Sequence, residues 1–291
     1  GYGPEMAMYL SVLKSSGIHQ PKNGVSDLTF GAPTADVDGA YILQEAWELL
    51  EECFMEAQQH RVNLKDIYAK LMSPPVGMKA GAIPVLLTAG LLAHRDQIAI
   101  YEHGTFVPVL SPPISERMSK NPGHFDVKHF ANSSGARLEV LEALHTGLGI
   151  SKSLEGHRVS NVLSVVTAVV RQIRALDNYT KKTANLDPAS IRLRETLELA
   201  LEPDILVFES IPESCGLPPV APNINSYDQQ ETLARFLLES LQNLSSAANG
   251  MLDRLVTVLI EASGVSNAQT VAKQASTIPD SIVEKLEPNL R

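Results

Sequence analysis

Only two cysteines occur in 291 residues, Cys53 and Cys215, and they lie far apart in the chain. Two isolated thiols build no disulfide framework, so a stapled extracellular scaffold is excluded and a reducing compartment is expected. Aromatic residues are scarce at 5%, with Trp47 the single tryptophan. The core must therefore be built from Leu, Val, Ile and Ala, which favours helix packed on helix. Long apolar runs are missing too. A bilayer span takes roughly 18 such residues, and the closest approach, Leu154 to Leu176, is interrupted by Arg158, Arg171 and Arg174. With no signal-peptide pattern either, a cytoplasmic protein with no membrane partner is expected.

Catalytic signatures are also lacking. There is no Gly-x-Ser-x-Gly elbow and no His-Glu-x-x-His. The segment Gly147 to Ser153, GLGISKS, has Ser151 and Thr146 where a phosphate loop needs glycines, and it follows a helical pattern rather than a strand. A helix stop at Gly147 and Gly149 with a Ser cap explains it. His124, Asp126 and His129 are metal-ligating types, but alternation along a strand points His129 away from the other two. No tetrahedral set is completed, so no metal and no cofactor is expected. Carboxylate pairs such as Glu51-Glu52 belong to a solvated helix face.

Forty-four per cent of the residues are hydrophobic, which supports a folded globular chain. The formal charge of −9 opposes a surface that coats nucleic acid, because phosphate repels it. The chain opens GYGPEMAMYL, without an initiator methionine and already helical in spacing, as expected of a fragment of a longer polypeptide.

Periodicity sets out the elements. Residues 4–16 form a short helix stopped by Gly17, and residues 19–40 a long loop rich in Pro, Gly, Asn and Asp. Ile42, Ala46, Leu49, Leu50, Cys53 and Ala57 make one helical stripe, opposed by Glu45, Glu48, Glu52 and Glu56. Asn63 caps a second helix with Asp66 three residues on, burying Leu64, Ile67, Tyr68 and Leu71. Ser73-Pro74-Pro75 ends it. A third helix starts near Ala82 with Pro84 in its first turn and carries Ile83, Leu86, Leu87, Leu91 and His94 on one side. Strands at Ile98–Tyr101 and Thr105–Val107 flank a His103-Gly104 turn. A further strand is open at Phe125–Phe130.

Three helices and a wing between about residues 41 and 108 have the order of a winged helix-turn-helix. DNA reading by that fold needs polar residues on the third helix. IPVLLTAGLLAHRD offers only Thr88 and His94-Arg95, and the wing tip carries Glu102. The third helix is expected to be buried against protein. After Ser133-Ser134-Gly135 the chain reads as helical: Arg137–Leu148, Val159–Leu176, Pro188–Leu201, Gln229–Ala247, Met251–Ala262 and Ala268–Ala275, with a joint rich in Pro, Ser and Asn at 210–228. The expectation is a mainly α protein, with a winged-helix-like domain and small hairpin in residues 1–132 and an α-helical domain in 133–291.

One stretch reverses the charge. Gly156 to Arg194 holds seven basic residues against Asp177 and Asp187, formally +5. Arg171, Arg174, Lys181, Lys182, Arg192 and Arg194 are candidate phosphate or nucleic-acid contacts, with Tyr179 as a stacking ring. Facing the acidic stripe of Glu45 to Glu56 is the competing use of these cations.

The phrases GYGPEMAMYLSVLKSSGIH, PPVGMKAGAIPVLLTAGLLAHRDQIAIYEHGTFVP and DNYTKKTANLDPASIRLRETLELALEPDILVFESIP together resemble a region of large bacterial P-loop ATPases. Those are associated with phage-defence and restriction-type gene clusters. The resemblance implies an accessory region downstream of the ATPase domain. It supplies no nucleotide-binding residue, because the phosphate loop is not in this chain. A non-enzymatic docking or regulatory module is the leading expectation, its partners being other domains of the parent or another protein. Two alternatives stand beside it: a nucleic-acid-binding module using the basic stretch, and an enzyme with a dispersed site.

Overall fold

The computed structural model describes residues 3–21, 28–34, 40–150, 161–199, 202–263 and 269. Among them the protein is mainly helical, with two small antiparallel sheets. The first helix, α1 (Pro4–Met8), runs on as a π-helical stretch, Tyr9–Lys14, and the chain turns at Gly17 with φ +74°. The expected loop at 19–40 is not all loop. His19–Pro21 (β1) pairs with Leu28–Phe30 (β2), and His19 stacks on Phe30 with ring centroids 4.3 Å apart. Two strands this short carry no alternation that a sequence can show.

Next come α2 (Ala40–Glu56), β3 (Val62–Asn63), α3 (Leu64–Met72), α4 (Ile83–Ala93), β4 (Ile98–Glu102), β5 (Thr105–Val107), α5 (Pro112–Lys120) and β6 (Phe125–His129). Ala46, Leu50 and Cys53 are buried along α2 and Ala57 just after it, joined by Trp47 and Phe54; the side chain of Ile42 lies outside the described residues. Asn63 caps α3, its Oδ1 accepting from the Lys65 amide at 3.0 Å. His103 (φ 50°) and Gly104 (φ 80°) make the turn from β4 to β5, with both residues in the left-handed region that a two-residue hairpin demands. The sheet order is β3-β6-β4-β5, and every neighbouring pair is antiparallel. β6 is therefore a central strand, and β5 and α5 are an excursion between β4 and β6.

Helix α4 is covered by its own chain. Ile83, Leu86, Leu87, Ala89, Gly90 and Leu91 are buried, against α2, β2, α5 and the N-terminal π-helical stretch. Gly90 permits the close approach to α2: a Cβ there would lie 2.5 Å from Leu50 Cδ2.

The second half contains α6 (Gly135–Gly147), α7 (Val162–Ala175), α8 (Asn178–Lys182), α9 (Pro188–Leu199), α10 (Pro203–Ile205), α11 (Ile211–Ser214) and α12 (Gln230–Ser263). α7 buries Val162, Leu163, Val165, Val166 and Val169, so packing overrides the strand preference of its valines. Asn161 caps it through the Leu163 amide at 3.0 Å. The 210–228 joint is helical at its start, because Leu206–Ser210 is a π-helical bridge between α10 and α11. The two helices expected at 229–247 and 251–262 are one 34-residue helix, unbroken by Gly250. Of the expected Ala268–Ala275 helix only Gln269 is among the described residues, and residues 159–160 and Leu201 lie outside them.

Two hydrophobic clusters result, one drawn from residues 18–127 and the other mainly from 130–244. β4 belongs to both. Ile98 and Ile100 point into the first cluster and Ala99 and Tyr101 into the second, as the two-residue period of a strand dictates.

Candidate functional site

The basic stretch does not present one cationic face. Arg171, Arg174, Lys182 and Arg192 are exposed. The Lys181 ammonium donates to the Arg174 carbonyl at 3.0 Å, and Arg192 Nε donates to the Ser214 carbonyl at 2.9 Å. Arg194 is buried, its Nη1 donating to the carbonyls of Thr180 at 2.8 Å and Thr183 at 2.7 Å. Each of these three cations thus closes off carbonyls at a helix C-terminus, where amide donors run out and the helix dipole favours positive charge. Arg194 is accordingly withdrawn from an exposed phosphate-binding set. Arg158 lies outside the described residues. On α2, Glu51 accepts from Trp47 Nε1 at 2.7 Å, and Glu56 pairs with Lys70 at 2.7 Å.

The hairpin turn is equally committed. Glu102 accepts two hydrogen bonds from Arg117 of α5, at 2.6 and 2.8 Å. His103 packs on His124 with ring centroids 4.4 Å apart. The other residues of the HFDVKH segment diverge. Asp126 accepts from Asn63 Nδ2 at 2.9 Å, while His129 Nδ1 lies 3.0 Å from Gln58 Nε2. Burial, reinforced by His94, pushes the His129 imidazole below its usual pKa. Among the described residues no group of three or more His, Cys, Asp or Glu could hold a metal ion.

The most elaborate polar arrangement is one that spacing does not reveal. Glu202, just before α10, pairs with Arg61, accepts from the Tyr101 hydroxyl at 3.0 Å and accepts from the Lys128 ammonium at 3.3 Å. Lys128 also lies 3.9 Å from Asp204. The Arg61 guanidinium sits over the Tyr101 ring, 3.6 Å from its centroid, a cation–π contact. Burial pushes the Glu202 carboxyl up, but Arg61, Tyr101 and Lys128 outweigh it and hold it below the usual carboxylate range. Burial, with the Glu202 charge behind it, drives the Tyr101 phenol strongly upward, so the phenol stays a donor. Every cation here has its carboxylate, and the cluster ties the sheet to the helical half. Residues at 61, 101, 128 and 202 share no motif, so only the fold brings them together.

His145 and Ser164 are the nearest approach to a nucleophile pair, with Nε2 2.6 Å from Oγ. The serine hydroxyl donates to the Asn161 carbonyl at 2.6 Å, which leaves the imidazole as donor rather than base. Burial pushes this histidine below its usual pKa. The pair fastens the start of α7 to α6 and does not activate a serine.

The remaining feature is apolar. Along the C-terminal turns of α12, Leu252, Leu255, Val256, Val258 and Leu259 are 51, 49, 41, 57 and 47% exposed. At 100° per residue, positions 251, 252, 255, 256, 258, 259, 260 and 262 fill an arc of roughly 200°, leaving Asp253, Arg254, Thr257 and Glu261 on the other side. No helix among the described residues is long and apolar enough to cross a membrane. No family model matches this chain, and no curated protein or solved structure matches it.

Proposed function

We propose that this protein is a non-enzymatic docking module of a larger polypeptide or assembly, and that the C-terminal turns of α12 are its docking face. The exposed apolar arc carries this reading. Contiguous apolar surface on a water-facing helix costs free energy unless a partner covers it. A single coiled-coil seam needs only a narrow a/d stripe, whereas this arc has room for two neighbouring helices. The occupant is therefore helical and apolar along one side, supplied by an adjoining domain or a separate protein. The resemblance to accessory regions of defence-type P-loop ATPases agrees with such a role, with that ATPase as parent.

Residues 41–132 are in this reading a winged-helix-like unit used for packing. The order α2–β3–α3–α4–β4 with β6 returning beside β4 supports it, and α4, the element that would enter a DNA groove, faces inward. Nucleic-acid binding by the basic stretch is the weaker reading, because of the six candidates Arg194 is buried and Lys181 and Arg192 are tied to backbone carbonyls, which leaves Arg171, Arg174 and Lys182.

The test is a photo-crosslinking residue at Val258 in the longest natural polypeptide that contains this chain, assembled with its partners. Adducts mapping to an amphipathic helix outside residues 1–291 support the docking face. Adducts confined to residues 264–291 overturn it, since the chain would then cover its own surface. No adduct at all overturns it as well.

A further inference from the structure

A cleft of about 640 Å³ lies between α7 and the sheet, within the roughly 300–1,000 Å³ range of small-molecule sites. Its wall is mostly apolar, with Leu91 from α4, Ile98 from β4, Phe106 from β5 and Leu163 and Ala168 from α7. Three charged residues line it: Arg95, Asp96 and Arg171. Arg95 and Asp96 are paired at 4.0 Å. The Asp96 charge also acts on His145, which meets Ser164. Arg171 is exposed and has neither an ion pair nor a side-chain hydrogen bond among the described residues. Both Arg171 and Ser164 project from α7 into the lining, seven positions apart, which is about 10 Å along a helix.

An apolar trough of that length, ending at a guanidinium with no partner among the described residues, has the complementarity of one class of ligand. We propose that the cleft binds an amphipathic anion, its apolar body lying along Leu163, Ala168 and Phe106 and its terminal carboxylate or phosphate held by Arg171. A guanidinium offers either group two parallel N–H donors, so both anions share the recognition chemistry. The proposal is independent of the α12 docking face, which lies on a different helix.

The experiment is isothermal titration of the 291-residue chain with n-octanoate, n-octyl phosphate and n-octanol, whose chains match the trough. At least one anion is expected to bind, and octanol at least about ten-fold more weakly, as the loss of a charged hydrogen bond implies. The ratio of octanoate to octyl phosphate affinity identifies the preferred head group. Arg171→Glu and Arg171→Gln should abolish or weaken anion binding by about ten-fold or more, while Arg171→Lys keeps most of it. Arg171 lies outside the core, so these variants fold, which circular dichroism checks. The proposal is overturned if neither anion binds, if octanol binds as well as they do, or if Arg171→Glu leaves the affinity unchanged.

Discussion

The guanidinium of Arg61 lies over the ring of Tyr101, 3.6 Å from the centroid, while the Tyr101 hydroxyl reaches past it to Glu202 at 3.0 Å. Tyr101 stands on the face of β4 that belongs to the second hydrophobic cluster, and Arg61 immediately precedes β3. The helical half is thus fastened to the sheet by charge as well as by packing. Truncating one member leaves the others without their partners, which costs more than the pair itself contributes.

Glu202→Gln should therefore lower stability by about 1–3 kcal/mol at neutral pH, given the usual worth of charge-assisted hydrogen bonds. The folded carboxyl titrates below its unfolded value, so its contribution is present above the ordinary glutamate pKa of about 4.3 and fades as pH falls through the lower folded value. Chemical denaturation between pH 3 and 7, on the order of that window, should show a steep acid loss in the native chain and a flatter one in the variant. Equal slopes would refute the linkage.

Gly90 gives α4 its closeness to α2. Gly90→Val would drive branched carbons into Leu50 and Phe54, and overpacking of this kind costs about 1–3 kcal/mol. The denaturant midpoint measures it, and the double variant Gly90→Val with Leu50→Ala should recover part of the loss. A single variant as stable as the native chain would mean that the helices part easily.

Asn63 caps α3 and also donates to the Gly123 carbonyl at 3.1 Å and to Asp126 at 2.9 Å. Asn63→Ala should cost about 1–2 kcal/mol, near the upper end for an N-cap. Asn63→Ser, which restores the cap but not the reach to β6, should recover only part. Full recovery would show that the Asp126 contact contributes nothing.

The basic stretch separates into structural and exposed cations. Arg194→Ala should destabilise the chain by about 2 kcal/mol, since it leaves one buried and one partly buried carbonyl without this donor. Lys182→Glu should change stability by no more than about 0.5 kcal/mol, as exposed surface substitutions do. If labelled duplex binds this chain, with affinity falling steeply in salt, and charge reversal at Arg171, Arg174 and Lys182 abolishes it, the nucleic-acid reading replaces the docking one.

Much of the first half is legible in the sequence, because local rules coincide with the final packing there. The Asn63 cap, the His103-Gly104 turn and the buried series Leu64, Ile67, Tyr68 and Leu71 each follow from a few neighbouring residues. Helix α5 is missed because its nine residues are largely polar and open with two prolines, so no apolar stripe marks it. The single α12 is read as two because Gly250 weakens a helix locally, a cost that the surrounding turns outweigh. The Glu202 cluster and the inward turn of Arg194 are invisible for another reason: their partners are distant in the chain or are carbonyls, and only the folded chain brings them within reach.

The placement of β6 has a consequence for how the chain is made. As the polypeptide emerges from the ribosome, β4 can zip onto β5 at once across a two-residue turn. The central strand arrives only after α5 has been synthesised, and until then one edge of β4 and the whole of β3 wait for pairing. Completion of the sheet is consequently a late, non-local event, and a nascent chain halted between residues 107 and 125 would expose the strand on which both halves of the protein are hung.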